Sequence, residues 1–244
     1  MIDPAILEAV ADDAWPALER ARLGGWRLNA TSGWSMRINA CWPLGAPDPE
    51  VEAAISAVET FYAQRGLPPR FKLADGAVVP SDLAQRLARR GYAAAKETLV
   101  MTGPALGAAE DDVTLTEHPD PAFEAVFIAS AAGNVADAAE RLSTLARIPA
   151  PARFARLDRD GRPAAIGASA ISDGWVGVFG MLTDPAQRRQ GLARRLLLAM
   201  LDEASRLGAR QAYLQVEADN GPAIALYRGL GFETAYAYRY WARA

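Results

Sequence analysis

The chain alternates between segments whose apolar residues recur every three or four positions and segments rich in β-branched and aromatic residues. The first spacing predicts helices over residues 4–21, 48–65, 81–90, 121–132 and 192–207, with residues 133–151 less regular and partly helical. The second composition predicts strands over residues 26–30, 34–42, 70–73, 97–102, 113–117, 153–157, 164–172, 175–183 and 213–217. The first two strands flank a Thr-Ser-Gly turn and predict a hairpin. Together these patterns predict a mixed α/β fold.

The order of elements repeats once along the chain. In the first half a helix is followed by RGLPPRFKL, a loop, a helix ending in RRGY and a strand, and the second half repeats this order with RLGARQAYLQV and GLGF. Internal repetition of this kind predicts two related units. Residues 103–112, GPALGAAEDD, are small, turn-rich and acidic, which is typical of a boundary. We therefore expect an N-terminal domain over residues 1–105 and a C-terminal domain over residues 112–244.

The most informative stretch is a strand, a turn and the start of a long helix, WVGVFGMLTDPAQRRQGLAR, residues 175–194. The first backbone amides of a helix lack intrahelical acceptors and lie at the positive end of its dipole, so they readily bind phosphate. Gly191 and Ala193 are small where a phosphate has to approach the backbone closely. Four arginines add positive charge around them: Arg188, Arg189, Arg194 and Arg195. By itself the RRQGLA string is equally compatible with a solvated helix start.

Two motifs in the C-terminal half support the phosphate-binding interpretation. RRQGLA resembles the Arg/Gln-x-x-Gly-x-Gly/Ala signature of the GCN5-related N-acetyltransferase (GNAT) superfamily, with Ala193 where Gly is commoner. About twenty residues further on, LQVEADNGPAIALYRGLGF, residues 214–232, resembles the other half of that family's acetyl-CoA site. The resemblance implies two GNAT-like units, each a mixed and mostly antiparallel sheet flanked by helices, with splayed central strands in the C-terminal unit.

The resemblance also implies roles for individual residues. Main-chain groups of Met181, Leu182 and Thr183 would contact the pantetheine and the acetyl carbonyl. The pyrophosphate would lie on the turn and helix start formed by Arg188, Arg189, Gln190, Gly191, Leu192, Ala193 and Arg194. Asn220 would reach the cofactor, although an N-cap role explains it equally well. Tyr227 would donate a proton to the departing thiolate, or else serve only as a buried aromatic residue.

The general base is the least defined member of the predicted site. Several family members carry a Glu at the position of Gln215, so that carboxylate is missing here. Glu217 lies two residues further along the predicted strand and therefore on the same face, which makes it the candidate base. An exposed charge at the strand end, with water or a residue of the N-terminal half as the base, is the alternative.

The N-terminal half lacks the features that would bind the coenzyme. Its strand and helix are joined by LGAPDPE, residues 44–50, which has no Arg, two Pro and two acidic residues that would repel a phosphate. Leu87 stands where the C-terminal half has Tyr227. We expect this half to pack on the catalytic half and enclose part of the acceptor site, or only to stabilise the fold.

Composition excludes several other classes of function. A formal net charge of -3 argues against a general binder of nucleic acid or anionic membranes. One cysteine, Cys41, and one histidine, His118, exclude an internal disulfide and most His-based metal sites, so no metal is expected. The N-terminal residues have neither a basic start nor a continuous apolar run, so neither a signal peptide nor a membrane span is predicted. We expect a cytoplasmic monomer or homodimer.

These observations predict an acetyl-CoA-dependent N-acetyltransferase. Because no cysteine lies near the motif, we expect direct transfer of the acetyl group to a primary amine without a covalent enzyme intermediate. The acceptor would be a small molecule or a peptide, and its identity is not defined by the sequence. The missing Glu at Gln215 leaves a second possibility, a non-catalytic acyl-CoA-binding or regulatory module.

Overall fold

The computed structural model describes residues 2–243, and it confirms the mixed α/β fold. The first part of the chain forms α1 (Pro4–Ala14), β1 (Glu19–Leu23), β2 (Trp26–Ala30), β3 (Cys41–Pro43), α2 (Val51–Ala63), β4 (Arg70–Ala74), α3 (Leu83–Arg89) and β5 (Ala93–Pro104). The remainder forms β6 (Val113–Thr116), α4 (Pro121–Ala129), α5 (Val135–Leu145), β7 (Ala152–Arg159), β8 (Arg162–Ser172), β9 (Trp175–Thr183), α6 (Leu192–Arg206), β10 (Gln211–Glu217), α7 (Gly221–Arg228) and β11 (Glu233–Ala242).

The chain folds into two compact units. Unit 1 comprises the chain up to Val100 together with Glu217–Asp219 and the residues from Ala235 onward, so it includes most of β11. Unit 2 comprises Met101–Val216 and Asn220–Thr234. The division between the units therefore falls a few residues before the predicted boundary. The end of the chain belongs to the first unit, because β11 pairs with β4.

In unit 1, neighbouring strands follow the order β1, β2, β3, β4 and β11. All of these pairs are antiparallel except β3 and β4, which run parallel and are connected through α2. Large aromatic side chains fill the core, with Trp26 and Phe71 packed edge to face at 6.0 Å between ring centroids. The hydroxyl of the buried Tyr62 donates to the carbonyl of Asn29 at 2.9 Å, which ties α2 to β2. The predicted helix over residues 48–65 and the strand over 70–73 are confirmed within a few residues.

The first predicted helix and the first predicted hairpin are partly wrong. Helix α1 ends at Ala14 because Pro16 has no N–H to continue it, and residues 19–23 form β1 instead. The hairpin joins β1 to β2 around the Gly24-Gly25 turn. Most of the predicted strand over residues 34–42 is not extended. Met36–Ile38 forms a 3-10 turn, and Asn39 Oδ1 accepts the amides of Thr31 and Gly33 in the preceding loop.

An ion pair lies inside unit 1. The Lys72 ammonium is 2.5 Å from a carboxylate oxygen of Glu8, and both side chains are at most 1% exposed. The hydroxyl of Tyr236 donates to the other oxygen of Glu8 at 2.9 Å. The rings of Trp42 and Tyr238 lie over the ammonium at 3.7 Å and 4.0 Å, which adds cation–π attraction. The buried charges are thus fully compensated, and they join α1, β4 and β11.

In unit 2, strands β6 to β9 form consecutive antiparallel pairs, and β10 pairs with β9 in parallel. The parallel pair is connected through α6, whose buried face includes Leu192, Leu196, Leu197 and Met200. Helix α4 lies where the sequence predicts it, and the partly regular segment over residues 133–151 contains α5. Unit 2 contains the whole strand–turn–helix stretch from which a phosphate site is predicted.

Residues 105–108, at the predicted boundary, pack closely on α6. The amides of Ala105 and Ala108 donate to the carbonyls of Arg210 and Leu198, each at 3.2 Å. A Cβ added at Gly107 would lie 2.1 Å from the Leu198 oxygen, so this approach requires glycine. The segment is therefore anchored to unit 2.

Candidate active site

Strand β9 bulges next to β8. Gly180 and Met181 both face Gly167, so the register shifts by one residue at this point. Gly180 has a φ of +57°, a left-handed conformation that favours glycine. A bulge of this kind bends its strand and increases the local twist. Strand β9 therefore bends at the residues predicted to contact the coenzyme while it stays paired with β8.

The parallel strands β9 and β10 are paired over only part of their length. The paired register runs from Trp175 and Gln211 to Val178 and Leu214. Strand β9 continues to Thr183, and in the described residues no pair with β10 follows Val178. Beyond this point residues 181–183 of β9 have no partner in β10, so an extended ligand could pair there, as at the edge of a sheet. The family resemblance implies splayed strands at this place, and the short paired register is compatible with it.

The predicted coenzyme-contacting residues line the end of β9. Met181 and Leu182 are half-buried, and Thr183 pairs with Ala165 of β8. The Met181 sulfur would lie 2.5 Å from a Cβ added at Gly167, beside the side chains of α6, so its side chain belongs to the core. Only the backbone of Met181 is therefore suited to contact a ligand in the gap.

The turn after β9 delivers the chain to α6 through two left-handed residues. A 3-10 turn, Pro185–Gln187, begins with Asp184, whose carboxylate accepts the amide of Ala186 at 2.9 Å. Arg189 then has a φ of +62°, and Gly191, the N-cap of α6, has a φ of +77°. This conformation turns the chain sharply into the helix and exposes the helix start.

The backbone amides at the start of α6 precede the first hydrogen bond of the helix. The Arg195 amide donates to the Gly191 carbonyl at 3.1 Å, the first bond of the helix. Within residues 2–243, the amides of residues 191–194 find no hydrogen-bond acceptor. A Cβ built on Gly191 would have nothing within 4 Å, so the space above the turn is clear. These four amides lie at the positive end of a 15-residue helix, which favours an anion there.

Three arginines surround these amides. Arg188, Arg189 and Arg194 are exposed, and none forms an ion pair with any residue that the structure describes. The Arg188 Nε atom lies 3.5 Å from the Thr183 carbonyl, so this side chain bends back toward the end of β9. The positive charge of all three is available to an anionic ligand.

Arg195, the fourth arginine of the motif, has carboxylate partners in the protein. Its Nε atom donates to Glu110 at 2.7 Å, and Nη2 donates to Asp112. Asp112 also accepts from Arg159 at 3.0 Å. The two arginines hold the pKa of the Asp112 carboxyl below its usual value. Arg195 thus joins the first turn of α6 to the residues before β6, and its charge is neutralised internally.

Helix α7 carries the other two candidates of unit 2. Asn220 is the N-cap, and its side-chain oxygen accepts the Ala223 amide at 3.3 Å. Tyr227 lies on the buried face of α7 with its ring 6.2 Å from that of Phe232. Burial raises the pKa of the Tyr227 hydroxyl above 10.0, so the phenol stays protonated at neutral pH and can act as a proton donor.

Glu217, the candidate base, lies at the exposed end of β10 and belongs to unit 1. Its carboxylate is 3.0 Å from the Lys96 ammonium, and this partner raises the pKa of Lys96. Gln215, on the same strand face, is half-buried. Glu217 thus has a cationic partner at the exposed end of β10.

Other reactive groups are few. Cys41 is buried, and burial raises the pKa of its thiol well above the usual value, which makes it a poor nucleophile. Within residues 2–243, no three carboxylate, thiol or imidazole groups are grouped in a way that could hold a metal ion. In the same range, the helices all lack the length and apolar character of a membrane span.

No local motif marks Gly180 or Phe127 as residues beside the candidate site. Phe127 of α4 lies against the bulge, with its ring 3.0 Å from where a Cβ on Gly180 would be. A glycine inside the otherwise apolar string of β9 is a known sign of a bulge or a close approach. The partner of that glycine could not be read from the sequence, because it lies on a helix far away in the chain.

The fold is similar to that of solved GNAT structures. A solved structure of a GCN5-related N-acetyltransferase from Kribbella flavida superimposes with a TM-score of 0.72 over 98% of this chain and 95% of the other, at 20% identity. Such a similarity at low identity concerns the fold. It agrees with the resemblance that the two C-terminal motifs carry.

The chain belongs to the family described as "Probable histone acetyltransferase Rv0428c C-terminal", whose model matches residues 5–241. It is 26% identical to "Uncharacterized N-acetyltransferase YobR" of Bacillus subtilis over 98% of both chains. It is 28% identical to "Probable histone acetyltransferase Rv0428c" of Mycobacterium tuberculosis over 96% of this chain and 72% of that protein. Its membership of the GNAT superfamily and its nature as an acyltransferase follow from these relationships.

Proposed function

We propose that this protein transfers the acetyl group of acetyl-CoA directly to a primary amine. The observation that carries the proposal is the combination, in one unit, of four free amides at the start of α6 and a gap between β9 and β10. The coenzyme's diphosphate and its extended pantetheine arm match these two features in charge and in hydrogen-bonding capacity. Bound there, the coenzyme supplies an activated thioester.

The cofactor-binding residues follow from this placement. The amides of residues 191–194 bind the diphosphate, with Arg188, Arg189 and Arg194 adding charge, while Gln190 and Leu192 shape the turn. The backbone of Met181, Leu182 and Thr183 pairs with the pantetheine amides. An amide near Leu182 donates to the carbonyl oxygen as it gains negative charge in the transition state. Asn220 caps α7 with its oxygen and keeps its NH₂ group for the ligand.

The proton transfers are assigned to two side chains. The amine nitrogen bonds to the acetyl carbon, the carbon–sulfur bond breaks, and Tyr227 donates its hydroxyl proton to the sulfur. Its raised pKa keeps that proton in place at neutral pH. We assign the base that removes the amine proton to Glu217, whose carboxylate lies 3.0 Å from the Lys96 ammonium. The acceptor is a small-molecule or peptide amine.

Unit 1 is, in this proposal, a second and degenerate GNAT-like unit. Its parallel pair β3 and β4 is joined through α2, as β9 and β10 are joined through α6. The start of α2 differs, because Glu50 caps it and its carboxylate accepts the Glu52 amide at 3.2 Å. A phosphate there would meet a negative charge where unit 2 presents free amides. We therefore expect one molecule of acetyl-CoA per chain.

Calorimetry and a thiol-release assay test the proposal. We expect the wild type to bind acetyl-CoA and to release thiol with at least one member of a panel of primary amines. Tyr227→Phe should retain binding and lower kcat by about 10²-fold, the usual effect of losing a general acid. Tyr92→Phe, which removes a phenol hydroxyl from unit 1, is the matched control and should keep wild-type kcat. Binding without turnover on any amine would favour the non-catalytic module, and failure to bind would contradict both.

A further inference from the structure

The contact between Phe127 and the bulge of β9 has no role in the reaction described above. Gly180 has no side chain, and the Phe127 ring occupies the space that one would fill. The ring atoms Cε2, Cζ and Cδ2 would lie 3.0, 3.6 and 3.9 Å from a Cβ at that position. Phe127 is 4% exposed, so the ring forms a wall at the bulge and does not project into solvent.

The ring is held firmly in this position. The Ser130 hydroxyl donates to the Phe127 carbonyl at 2.6 Å and accepts from Arg141 at 2.8 Å. The Arg141 guanidinium lies 5.9 Å from the Phe127 ring centroid and is paired with Asp137 of α5 at 2.8 Å. On its other side the ring packs against Phe123, at 6.0 Å between centroids. Helices α4 and α5 thus fix the wall from both sides.

The neighbouring residue of the bulge faces a different element. Met181 directs its side chain toward Gly167 and α6, whereas the position of Gly180 faces α4. The backbone where an acyl carbonyl would bind therefore lies between a wall on the α4 side and a packed core on the α6 side. Consecutive Cα atoms are about 3.8 Å apart, so the Cα atoms of Met181 and Leu182 lie within about 4 Å and about 7 Å of Gly180, where the Phe127 ring packs.

We propose that Phe127, seated on Gly180, limits the acyl group that this enzyme transfers to acetyl. The inference rests on the proposed function, because it concerns the same site. An acetyl group ends at a methyl that can lie beside the ring. Additional methylenes would have to displace a buried aromatic side chain that its neighbours hold in place. Phe127 would thus be a specificity-determining residue.

Competing acyl-CoA substrates test the proposal. The readout is the ratio of kcat/KM for butyryl-CoA to that for acetyl-CoA, measured by thiol release with one acceptor amine. We expect a ratio of about 0.1 or lower for the wild type, since one methylene changes kcat/KM by roughly 10-fold or more in a fitted pocket. Phe127→Ala should raise the ratio by at least about 10-fold, mainly by improving butyryl-CoA.

Phe123→Ala is the matched control. It removes the same ring from the same helix, and Phe123 is 1% exposed, but the space at Gly180 stays filled by Phe127. We expect a similar loss of thermal stability and a clearly smaller rise of the ratio than in Phe127→Ala, because the ring at Gly180 remains although one of its neighbours is removed. Phe127→Leu, a smaller change, serves if the alanine variant does not fold, and it should raise the ratio to an intermediate value.

The outcomes separate this inference from the proposed function. If a folded Phe127 variant keeps the wild-type ratio, the acyl-length inference is overturned. The proposal of acetyl transfer is not affected by that result. If the wild type binds acyl-CoA without turnover, the dissociation constants for butyryl-CoA and acetyl-CoA replace kcat/KM. An equal ratio of these constants in the wild type and in Phe127→Ala would then overturn the acyl-length inference. A wild type that binds no acyl-CoA overturns both.

Discussion

Gly191 offers a direct test of the coenzyme site, because substitutions at this position separate the effect of backbone strain from the effect of added charge. Its φ of +77° disfavours residues with a Cβ, and nothing lies within 4 Å of the Cβ position, so substitutions there cause strain without a clash. Asn tolerates the left-handed conformation, whereas Ala and Glu cost about 1–2 kcal/mol. Gly191→Asn, Gly191→Ala and Gly191→Glu thus form a series in which only the last adds charge.

The magnitude of the charge effect follows from Coulomb's law. Two unit charges 4 Å apart interact by about 1 kcal/mol in water and about 4 kcal/mol near a protein surface. The turn is exposed, so the smaller figure is appropriate, but a diphosphate carries more than one negative charge. We expect Gly191→Glu to weaken acetyl-CoA binding by at least about 10-fold relative to Gly191→Ala, which corresponds to about 1.4 kcal/mol.

Isothermal titration calorimetry at two salt concentrations provides the assay. The Debye length falls from about 10 Å at 0.1 M salt to about 3 Å at 1 M, so high salt should remove much of the difference between the Glu and Ala variants. Thermal unfolding of each variant checks that the fold is retained. Equal affinities of these two variants at the lower salt concentration would refute the placement of the diphosphate on this turn.

Three further predictions concern titratable side chains. Lys72→Met leaves Glu8 buried without its cation and should lower the free energy of unfolding by about 3–5 kcal/mol. Lys96→Met removes the cation of an exposed pair and should lower the free energy of unfolding by at most about 1 kcal/mol. Equal melting temperatures of the two variants would refute this contrast. Glu217→Gln should lower kcat by about 10²-fold with unchanged acetyl-CoA binding, and wild-type turnover would assign the base to water or to another group. Burial raises the pKa of Tyr227 above 10.0, so loss of the donor proton should reduce kcat only above about pH 10. If kcat of the wild type already falls as the pH rises to about 9, and Tyr227→Phe abolishes this fall, the assignment of the proton donor is contradicted.

The local features of the site could be predicted from the sequence. The turn before α6, the N-cap at Asn220 and the burial of Tyr227 depend on residues close together in the chain, so short motifs define them. The element order also predicted the mixed fold. The first helix was predicted too long, since the apolar spacing up to Ala21 outweighed the break at Pro16.

Tertiary structure alone decided the features that depend on distant residues. Pairing of β9 with β10 stops at Val178, and nothing in either strand's own composition sets that limit. The ring that fills the space at Gly180 comes from α4, and the cation beside Glu8 comes from β4. The sequence by itself therefore determined the exposed helix start at which we propose that the coenzyme diphosphate binds. Packing between elements far apart in the chain decided which strands separate and which charges are neutralised, because those outcomes depend on distances that no local pattern encodes.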